Sequence, residues 1–210
     1  MLGEAVGLSL AERAGIDTAP WRIEGVGETN TLLVRRFDRD GARRIPFLSA
    51  MSMLGAADNE PHSYLEIAEA LQRFGAATKA DLVALWRRIV FNVLISNTDD
   101  HLRNHGFLYD GPKGWRLSPA YDLNPVPEDV KPRILSTAIM PDDPSASLDL
   151  AFEAAEYFGV SRHDARPIAA EVAEAVATWR SVAKDLGLSS KEIGRMASAF
   201  QHGVLSKALA

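Results

Sequence analysis

The sequence contains no cysteine. Disulfide bonds, thiolate metal sites and a cysteine nucleophile are therefore excluded, and such a composition is typical of a reducing compartment. Long apolar runs are also missing, because the most apolar stretch, residues 82–95, contains Arg87 and Arg88 and is too short to span a bilayer. The first residues lack the basic-then-apolar pattern of a secretory signal. We therefore expect a cytoplasmic protein with no membrane association.

An excess of positive charge is absent as well. The chain has 23 Lys and Arg against 28 Asp and Glu, a net charge of −5. Without a basic field there is no general attraction to polyanions, so we expect no direct nucleic-acid binding. One basic cluster is interpreted as a solvated surface, with nucleotide phosphates as the alternative neighbours: Arg35, Arg36, Arg39, Arg43 and Arg44.

The order of predicted elements favours an α+β fold that is mostly helical. A capping box at Ser63–Glu66 opens a helix that ends near Gly75, and an apolar face at helical spacing predicts a buried helix from Thr78 to about Ser96. A strand hairpin is predicted at 106–109 and 115–117. The remaining predictions are a helix at 4–14, strands at 21–24 and 31–37, a loop-like region at 38–62, an irregular segment at 128–146, and helices at 147–158, 162–186 and 189–208.

Polar side chains cluster in two loops that flank the predicted hairpin. The first loop runs from Asn97 to His105, and Asp122 lies in the second. Loops at one end of a hairpin can lie side by side, so we expect Asp99, Asn104 and Asp122 to converge, and oxygen ligands of this kind suit Mg²⁺. In protein kinases the same spacing separates the catalytic aspartate from a metal-binding asparagine, with a second metal-binding aspartate on a later loop.

The amino-acid sequences of both loops resemble those of the HipA family of bacterial toxin kinases. The resemblance rests on Asn97-Thr98-Asp99-Asp100-His101-Leu102-Arg103-Asn104 and on Leu117-Ser118-Pro119-Ala120-Tyr121-Asp122-Leu123. Upstream, residues 33–39 are similar to the family's Arg-Phe-Asp-Arg hinge. The resemblance implies a protein-kinase-like C-lobe with a residual N-terminal strand pair, in which residues 1–40 are a remnant of the N-lobe and hinge and residues 41–210 form the helical C-lobe.

The same resemblance implies a role for each motif residue. Asp99 would be the catalytic base, while Asn104 and Asp122 would hold Mg²⁺. The cofactor would be ATP, with the hinge meeting adenine and two loop residues bracing the site. This cofactor-binding set consists of Arg35, Arg36, Phe37, His101 and Arg103.

The resemblance also implies partners. HipA-type kinases phosphorylate serine or threonine on a protein substrate, in known members an aminoacyl-tRNA synthetase, and a small DNA-binding antitoxin commonly restrains them. The sequence shows no Gly-rich phosphate loop and no strand lysine, since Lys79 and Lys113 fall at a helix start and in a turn. We therefore consider a truncated product, a half enzyme completed by a separate N-lobe chain, and an inactive remnant.

Two functions from other classes remain open. One is a non-catalytic pseudokinase lobe that binds an antitoxin or another partner. The other is a metal-dependent phosphohydrolase. Its candidate residues are Asp99, Asp100, His101, His105 and Asp122.

Overall fold

The computed structural model describes residues 2–27, 29–58 and 60–209. The helices are α1 (Leu2–Arg13), α2 (Ala50–Leu54), α3 (Tyr64–Phe74), α4 (Thr78–Leu94), α5 (Leu148–Ala154), α6 (Arg162–Ala177), α7 (Trp179–Asp185), α8 (Ser190–Phe200) and α9 (Gly203–Ala208). The strands are β1 (Trp21–Val26), β2 (Thr29–Val34), β3 (Arg39–Asp40), β4 (Arg43–Arg44), β5 (Phe47–Ser49), β6 (His62–Ser63), β7 (Gly106–Tyr109), β8 (Trp115–Leu117) and β9 (Thr137–Ala138). The predicted α+β, mostly helical fold is confirmed.

The strands form small separate sheets. β1 and β2 make an antiparallel hairpin, β3 pairs with β4, and β5, β7 and β8 form an antiparallel sheet in that order. β6 pairs in parallel with β9, with His62 opposite Thr137. The predicted hairpin at 106–109 and 115–117 is confirmed with its bounds.

The prediction of a loop-like region at 38–62 is wrong. This region contains β3, β4, β5, α2 and β6. Its strands have two or three residues each, too few to show an alternating pattern, and β5 and β6 pair with segments far along the chain. The β5–β7 pairing sets Ser49 opposite Gly106, and a Cβ added at Gly106 would lie 2.3 Å from the Phe47 ring. A larger residue at position 106 would therefore displace the Phe47 ring.

Helix α4 forms the centre of the core, as its apolar face predicts. It packs against α3, α5 and α6, and Leu85, Trp86, Ile89 and Phe91 are fully buried. The Trp86 Nε1–H donates to the Ala151 carbonyl at 2.8 Å, which satisfies its polar atom inside the core. No helix in the described ranges has both the length and the apolar character needed to cross a bilayer.

The predicted helix caps are confirmed, but two long predicted helices are interrupted. The Ser63 N–H donates to Glu66 Oε2 at 2.7 Å, and Ser161 Oγ accepts from the Asp164 N–H at 3.1 Å. The predicted helix at 162–186 is divided at Thr178, whose hydroxyl donates to the Ala175 carbonyl and competes with the helical pattern. Within 189–208, α8 ends at Phe200 and α9 begins at Gly203.

Candidate active site

The first loop follows the end of α4, where one residue has a left-handed backbone conformation. Ser96 has φ 53°, and the next amide, Asn97 N–H, donates back to the Asn92 carbonyl at 2.8 Å. The Asn97 side chain repeats the link, donating to Asn92 Oδ1 at 3.1 Å. Val126 N–H donates to the Ser96 carbonyl at 3.2 Å, which ties the second loop to the same helix end. The end of α4 is therefore the anchor of both loops.

Asp100 is the buried anchor of the first loop. Its side chain accepts hydrogen bonds from Asn92 Nδ2 at 2.9 Å, from His105 Nε2 at 2.8 Å and from the Tyr64 hydroxyl. Burial raises the pKa of Tyr64 well above its usual range, and the Asp100 charge raises it further, so the phenol remains a donor. His105 is buried and braces the first loop through this contact with Asp100.

Asp99, the neighbour of Asp100, has the opposite environment. Its side chain is 68% exposed and contacts the ammonium of Lys131, with Nζ 3.3 Å from Oδ1. Lys131 also donates to the Thr98 carbonyl at 3.1 Å. Asn104 is buried on the same loop, and its Nδ2 is 3.5 Å from the Asp99 carbonyl oxygen. The loop therefore presents one carboxylate to solvent and keeps the other inside.

A hydrogen bond joins the second loop to the first. The Tyr121 hydroxyl donates to the Arg103 carbonyl at 2.7 Å. Asp122 follows with φ 57°, and its Oδ1 accepts from Asn124 Nδ2 at 2.6 Å. The loops thus lie side by side, as the hairpin predicts, and Asp122 is in a left-handed conformation that Asp tolerates better than most residues.

Helix α1 supports the Asp122 loop closely. A Cβ added at Gly7 would lie 2.1 Å from the Leu123 carbonyl oxygen, so a larger residue at position 7 would displace the loop. Burial raises the pKa of Glu4, also on α1, and the Asp122 charge raises it further. The charge of Asp122 therefore acts on Glu4, although no local sequence pattern relates the two residues.

Two residues of α4 hold the hairpin between the loops. Arg88 is buried and donates to the Ser118 carbonyl, and burial lowers its pKa to about 10. Asp81 accepts from Arg116 Nε at 2.9 Å and from the Leu117 N–H at 3.1 Å. These contacts fix strand β8 on the core and with it the start of the second loop.

An aromatic cavity lies where the hinge meets the first loop. The Phe37 ring is 5.5 Å from the Tyr121 ring and 5.8 Å from the Phe47 ring. The cavity has a volume of about 400 Å³, and Arg36 and Arg103 also line it. Arg36 makes a two-pronged contact with Asp38, at 2.8 and 2.6 Å. We call this space the hinge cavity.

The structure brings together only part of the predicted cofactor-binding set. Arg36, Phe37 and Arg103 line the hinge cavity. Arg35 lines a separate cavity beside Trp21 on the β1–β2 hairpin, and His101 lines a third cavity on the first loop. No group of three or more His, Asp or Glu side chains in the described part of the chain is placed to hold a metal ion by itself.

Lys131 and the Asp100 network had not been identified from the sequence. Asn92, in the middle of the apolar α4 pattern, was the available signal for a buried polar partner. Lys131 offered no such signal, because it lies in a Pro- and Asp-rich segment and reaches Asp99 only through the fold.

Comparison with known proteins decides the family. The family model of the HipA-like C-terminal domain matches residues 2–180. The chain belongs to this family. The HipA resemblance of the two loops is thereby confirmed over nearly the whole chain.

Three relatives of this HipA-like chain have names that describe them as kinases. Y4mE of Sinorhizobium fredii is 30% identical over 151 residues, which cover 66% of this chain and 33% of the relative. Y4dM of the same organism is 35% identical over 114 residues, covering 51% and 27%. A relative in Haemophilus influenzae is 27% identical over 157 residues, covering 65% and 46%. The HipA-like chain therefore spans less than half the length of these relatives.

Solved structures share the fold. One is HipA of Shewanella oneidensis in a complex with HipB and operator DNA, with a TM-score of 0.75, 20% identity, and coverage of 99% of this chain and 54% of that chain. Another is the proinflammatory kinase CtkA of Helicobacter pylori, with a TM-score of 0.57, 12% identity, and coverage of 95% and 83%. At these identities the likeness establishes the fold.

Proposed function

We propose that the HipA-like chain is the catalytic lobe of an ATP- and Mg²⁺-dependent protein serine/threonine kinase. The observation that carries the proposal is the placement of Asp99. Its carboxylate is solvent-exposed, on a loop that the buried contacts of Asp100 hold in place. The Tyr121–Arg103 hydrogen bond joins that loop to the Asp122 loop beside the hinge cavity. Family membership and relatives named as kinases support it.

In this proposal Asp99 accepts the proton of the acceptor hydroxyl. An exposed carboxylate on a rigid loop can meet a serine or threonine of another protein and orient it for attack on the γ-phosphorus. The oxygen–phosphorus bond forms as the bond to ADP breaks, and the hydroxyl proton moves to Asp99. The buried Asp100 contacts keep the loop from moving when the acceptor enters.

Asn104 and Asp122 are the residues that would hold the metal. Their side chains supply oxygen donors, which Mg²⁺ prefers, and Mg²⁺ is commonly held by one or two protein oxygens with substrate phosphates and water completing the shell. The ion would neutralise charge on the transferred phosphoryl group.

The hinge cavity is the proposed adenine site. Phe37, Phe47 and Tyr121 give it aromatic walls, and flat apolar surfaces suit a purine ring. Arg103 connects it to the catalytic loop. Arg35 would contribute only through its backbone region, since its side chain lines a different cavity, and His101 is assigned a different role below.

Catalysis and regulation belong to a larger assembly in this proposal. The phosphate-contacting elements of the N-lobe would come from residues or a chain outside these 210 residues, consistent with the greater length of the relatives. The protein substrate is proposed to carry the acceptor serine or threonine. A HipB-like, DNA-binding antitoxin is the proposed restraining partner of a toxin, because the HipA structure contains HipB and operator DNA.

The test is phosphate transfer by the assembled kinase, produced with the reading frames that flank its gene. Radiolabelled ATP and Mg²⁺ should label protein serine or threonine, and Asp99→Asn should reduce the rate by about a hundredfold or more. Asp149→Asn, another exposed carboxylate paired with a lysine, is the matched control. Unchanged labelling by Asp99→Asn would overturn the assignment.

Other outcomes would favour the alternative functions. ATP binding without any transfer, together with binding to the antitoxin, would favour a pseudokinase lobe. Release of inorganic phosphate with Mn²⁺ or Zn²⁺ would favour a phosphohydrolase.

A further inference from the structure

A second cavity shares Arg103 with the hinge cavity and has a volume of about 500 Å³. Its walls come from the region between α2 and β6, from the first loop and from β9. Its chemically distinctive lining residues are Asp58, Glu60, His62, His101, Arg103 and Thr137. We call it the His62 cavity, and no step of the proposed transfer uses it.

Within the described residues, three buried polar atoms of the His62 cavity lack a hydrogen-bond partner. They are His62 Nε2, His101 Nδ1 and Thr137 Oγ1. Thr137 is only 1% exposed. Leaving a buried polar atom unpaired costs about 1–3 kcal/mol, so three such atoms around one cavity point to a polar ligand that pairs with them.

The hydrogen bonding of His62 indicates what that ligand offers. His62 Nδ1 is 3.1 Å from Glu66 Oε1, and because a carboxylate accepts, Nδ1 carries the hydrogen. In the neutral ring Nε2 is then an acceptor, and the Glu60 carboxylate, whose Oε2 lies 3.8 Å from Nε2, has no hydrogen to donate to it. A ligand that donates hydrogen bonds would satisfy Nε2, and the Thr137 hydroxyl can accept as well.

The charge of the cavity selects a cation. The carboxylates of Asp58 and Glu60 line it, with side chains 59% and 60% exposed. Arg103 is already paired with Asp58, so its charge is countered. Among the residues that the structure describes, Glu60 is paired with no lysine or arginine, and its Oε2 lies 3.8 Å from His62 Nε2. A positively charged donor therefore matches both the acceptor atoms and the excess of negative charge.

The His62 cavity lies close to Asp99. Ser136 lines the cavity, and its hydroxyl donates to the Thr98 carbonyl at 2.9 Å. The same hydroxyl is 3.4 Å from Lys131 Nζ, which contacts Asp99. A peptide with a side chain in the cavity would therefore continue past the proposed base within a short length of chain.

We propose that the His62 cavity binds a lysine or arginine side chain of the acceptor protein, near in sequence to the serine or threonine that is phosphorylated. The assignment of this side chain to a protein that accepts phosphate rests on the proposed kinase function. Binding of the basic side chain is a separate property of the cavity, so it can be measured without any chemistry.

The test uses short fluorescent peptides with a central serine and a lysine, glutamine or glutamate at a neighbouring position. Fluorescence anisotropy measures their affinity for the assembled kinase. The lysine peptide should bind about tenfold more tightly than the glutamate peptide, because opposite charges attract and like charges repel at the two carboxylates. Glu60→Gln should reduce this ratio by about threefold, a value typical of one exposed charge pair.

Thr137→Val removes the unpaired hydroxyl with little change of shape, and it should weaken binding of all three peptides. Glu156→Gln and Thr31→Val are the matched controls, since Glu156 pairs with Arg162 and Thr31 lies on β2, both outside the cavity lining. Thermal unfolding of each variant verifies that it is folded.

The possible outcomes test the cavity assignment and the kinase function independently. Equal affinity for the three peptides, or variants that match their controls, would overturn the cavity assignment. Phosphate transfer at the same rate to peptides with and without the neighbouring lysine would also overturn the cavity assignment, while supporting the kinase function. Selective lysine binding without transfer would support the cavity and defeat the kinase function.

Discussion

Lys131 Nζ lies 3.3 Å from Asp99 Oδ1 and 3.1 Å from the Thr98 carbonyl oxygen. The lysine thus holds both the proposed catalytic carboxylate and the backbone just before it. The two side chains are 38% and 68% exposed, so solvent screens the pair and it adds little to folding stability. Its importance lies in the direction of the Asp99 carboxylate and in the positive charge placed beside it.

We predict that Lys131→Met lowers kcat for phosphate transfer by about tenfold or more, with a smaller effect on KM for ATP, because positioning of the base is lost. Lys131→Arg should recover part of the rate, since it keeps a cation within reach. Steady-state kinetics measures both. Lys207→Met, which breaks an exposed pair with Asp149, is the control, and an unchanged kcat in Lys131→Met would contradict the prediction.

Asp122 should matter for the metal–nucleotide complex. We expect Asp122→Asn to weaken binding of Mg²⁺-ADP to the assembled kinase by about tenfold or more, because one anionic oxygen donor is lost. Asn is preferable to Ala here, since it tolerates the φ of 57°. Calorimetry with and without Mg²⁺ makes the measurement. Equal weakening of ADP binding in the absence of Mg²⁺ would argue for a purely structural role.

Asp100 should be essential for stability rather than for chemistry. Asp100→Ala would leave the buried donors of Asn92, His105 and Tyr64 without their acceptor. We predict a loss of about 3–5 kcal/mol in the free energy of unfolding, measured by urea denaturation. Asp129→Ala, at an exposed position, is the comparison and should cost far less. A loss below about 1 kcal/mol for Asp100→Ala would refute the buried anchor.

His202 should make stability depend on pH. Its Nε2–H donates to the Leu94 carbonyl at 3.1 Å, and its Nδ1 accepts from the Leu205 N–H at 3.3 Å, an arrangement that only the neutral ring allows. Burial lowers the pKa of His202, and the charge of Arg133 lowers it further. In the window between this lowered pKa and the unfolded value near 6.5, the unfolded chain binds more protons, so stability rises with pH.

The stabilisation from neutral His202 is therefore fully present above about pH 6.5 and declines as the pH falls below that value. Its size should be about 1 kcal/mol, the usual worth of a helix N-cap. Unfolding followed across pH in the native chain and in His202→Gln measures it. The substitution should flatten this part of the pH dependence, whereas His163→Gln, at an exposed site, should leave it unchanged. An identical slope in His202→Gln would contradict the prediction.

The sequence by itself determined the elements whose signals are local. The Ser63–Glu66 capping box and the apolar face of α4 set helix boundaries because caps and periodic faces involve residues a few positions apart. The hairpin at β7 and β8 followed from its turn. The sequence motifs of the two loops indicated the family, since these residues can be recognised without coordinates. The assignment of Asp99, Asn104 and Asp122 to chemistry stays a prediction, as does the division of the chain at residue 40.

Only the tertiary structure decided what depends on partners distant in sequence. β5, β6 and β9 have two or three residues and exist through pairing with remote segments, so no local pattern predicts them. Asp99 and Asp100 are adjacent and chemically alike, yet one is exposed and the other is buried among Asn92, His105 and Tyr64. The Lys131 contact and the His62 cavity likewise arise where separate segments meet. Burial and long-range contacts assign these roles, and both are properties of the folded chain.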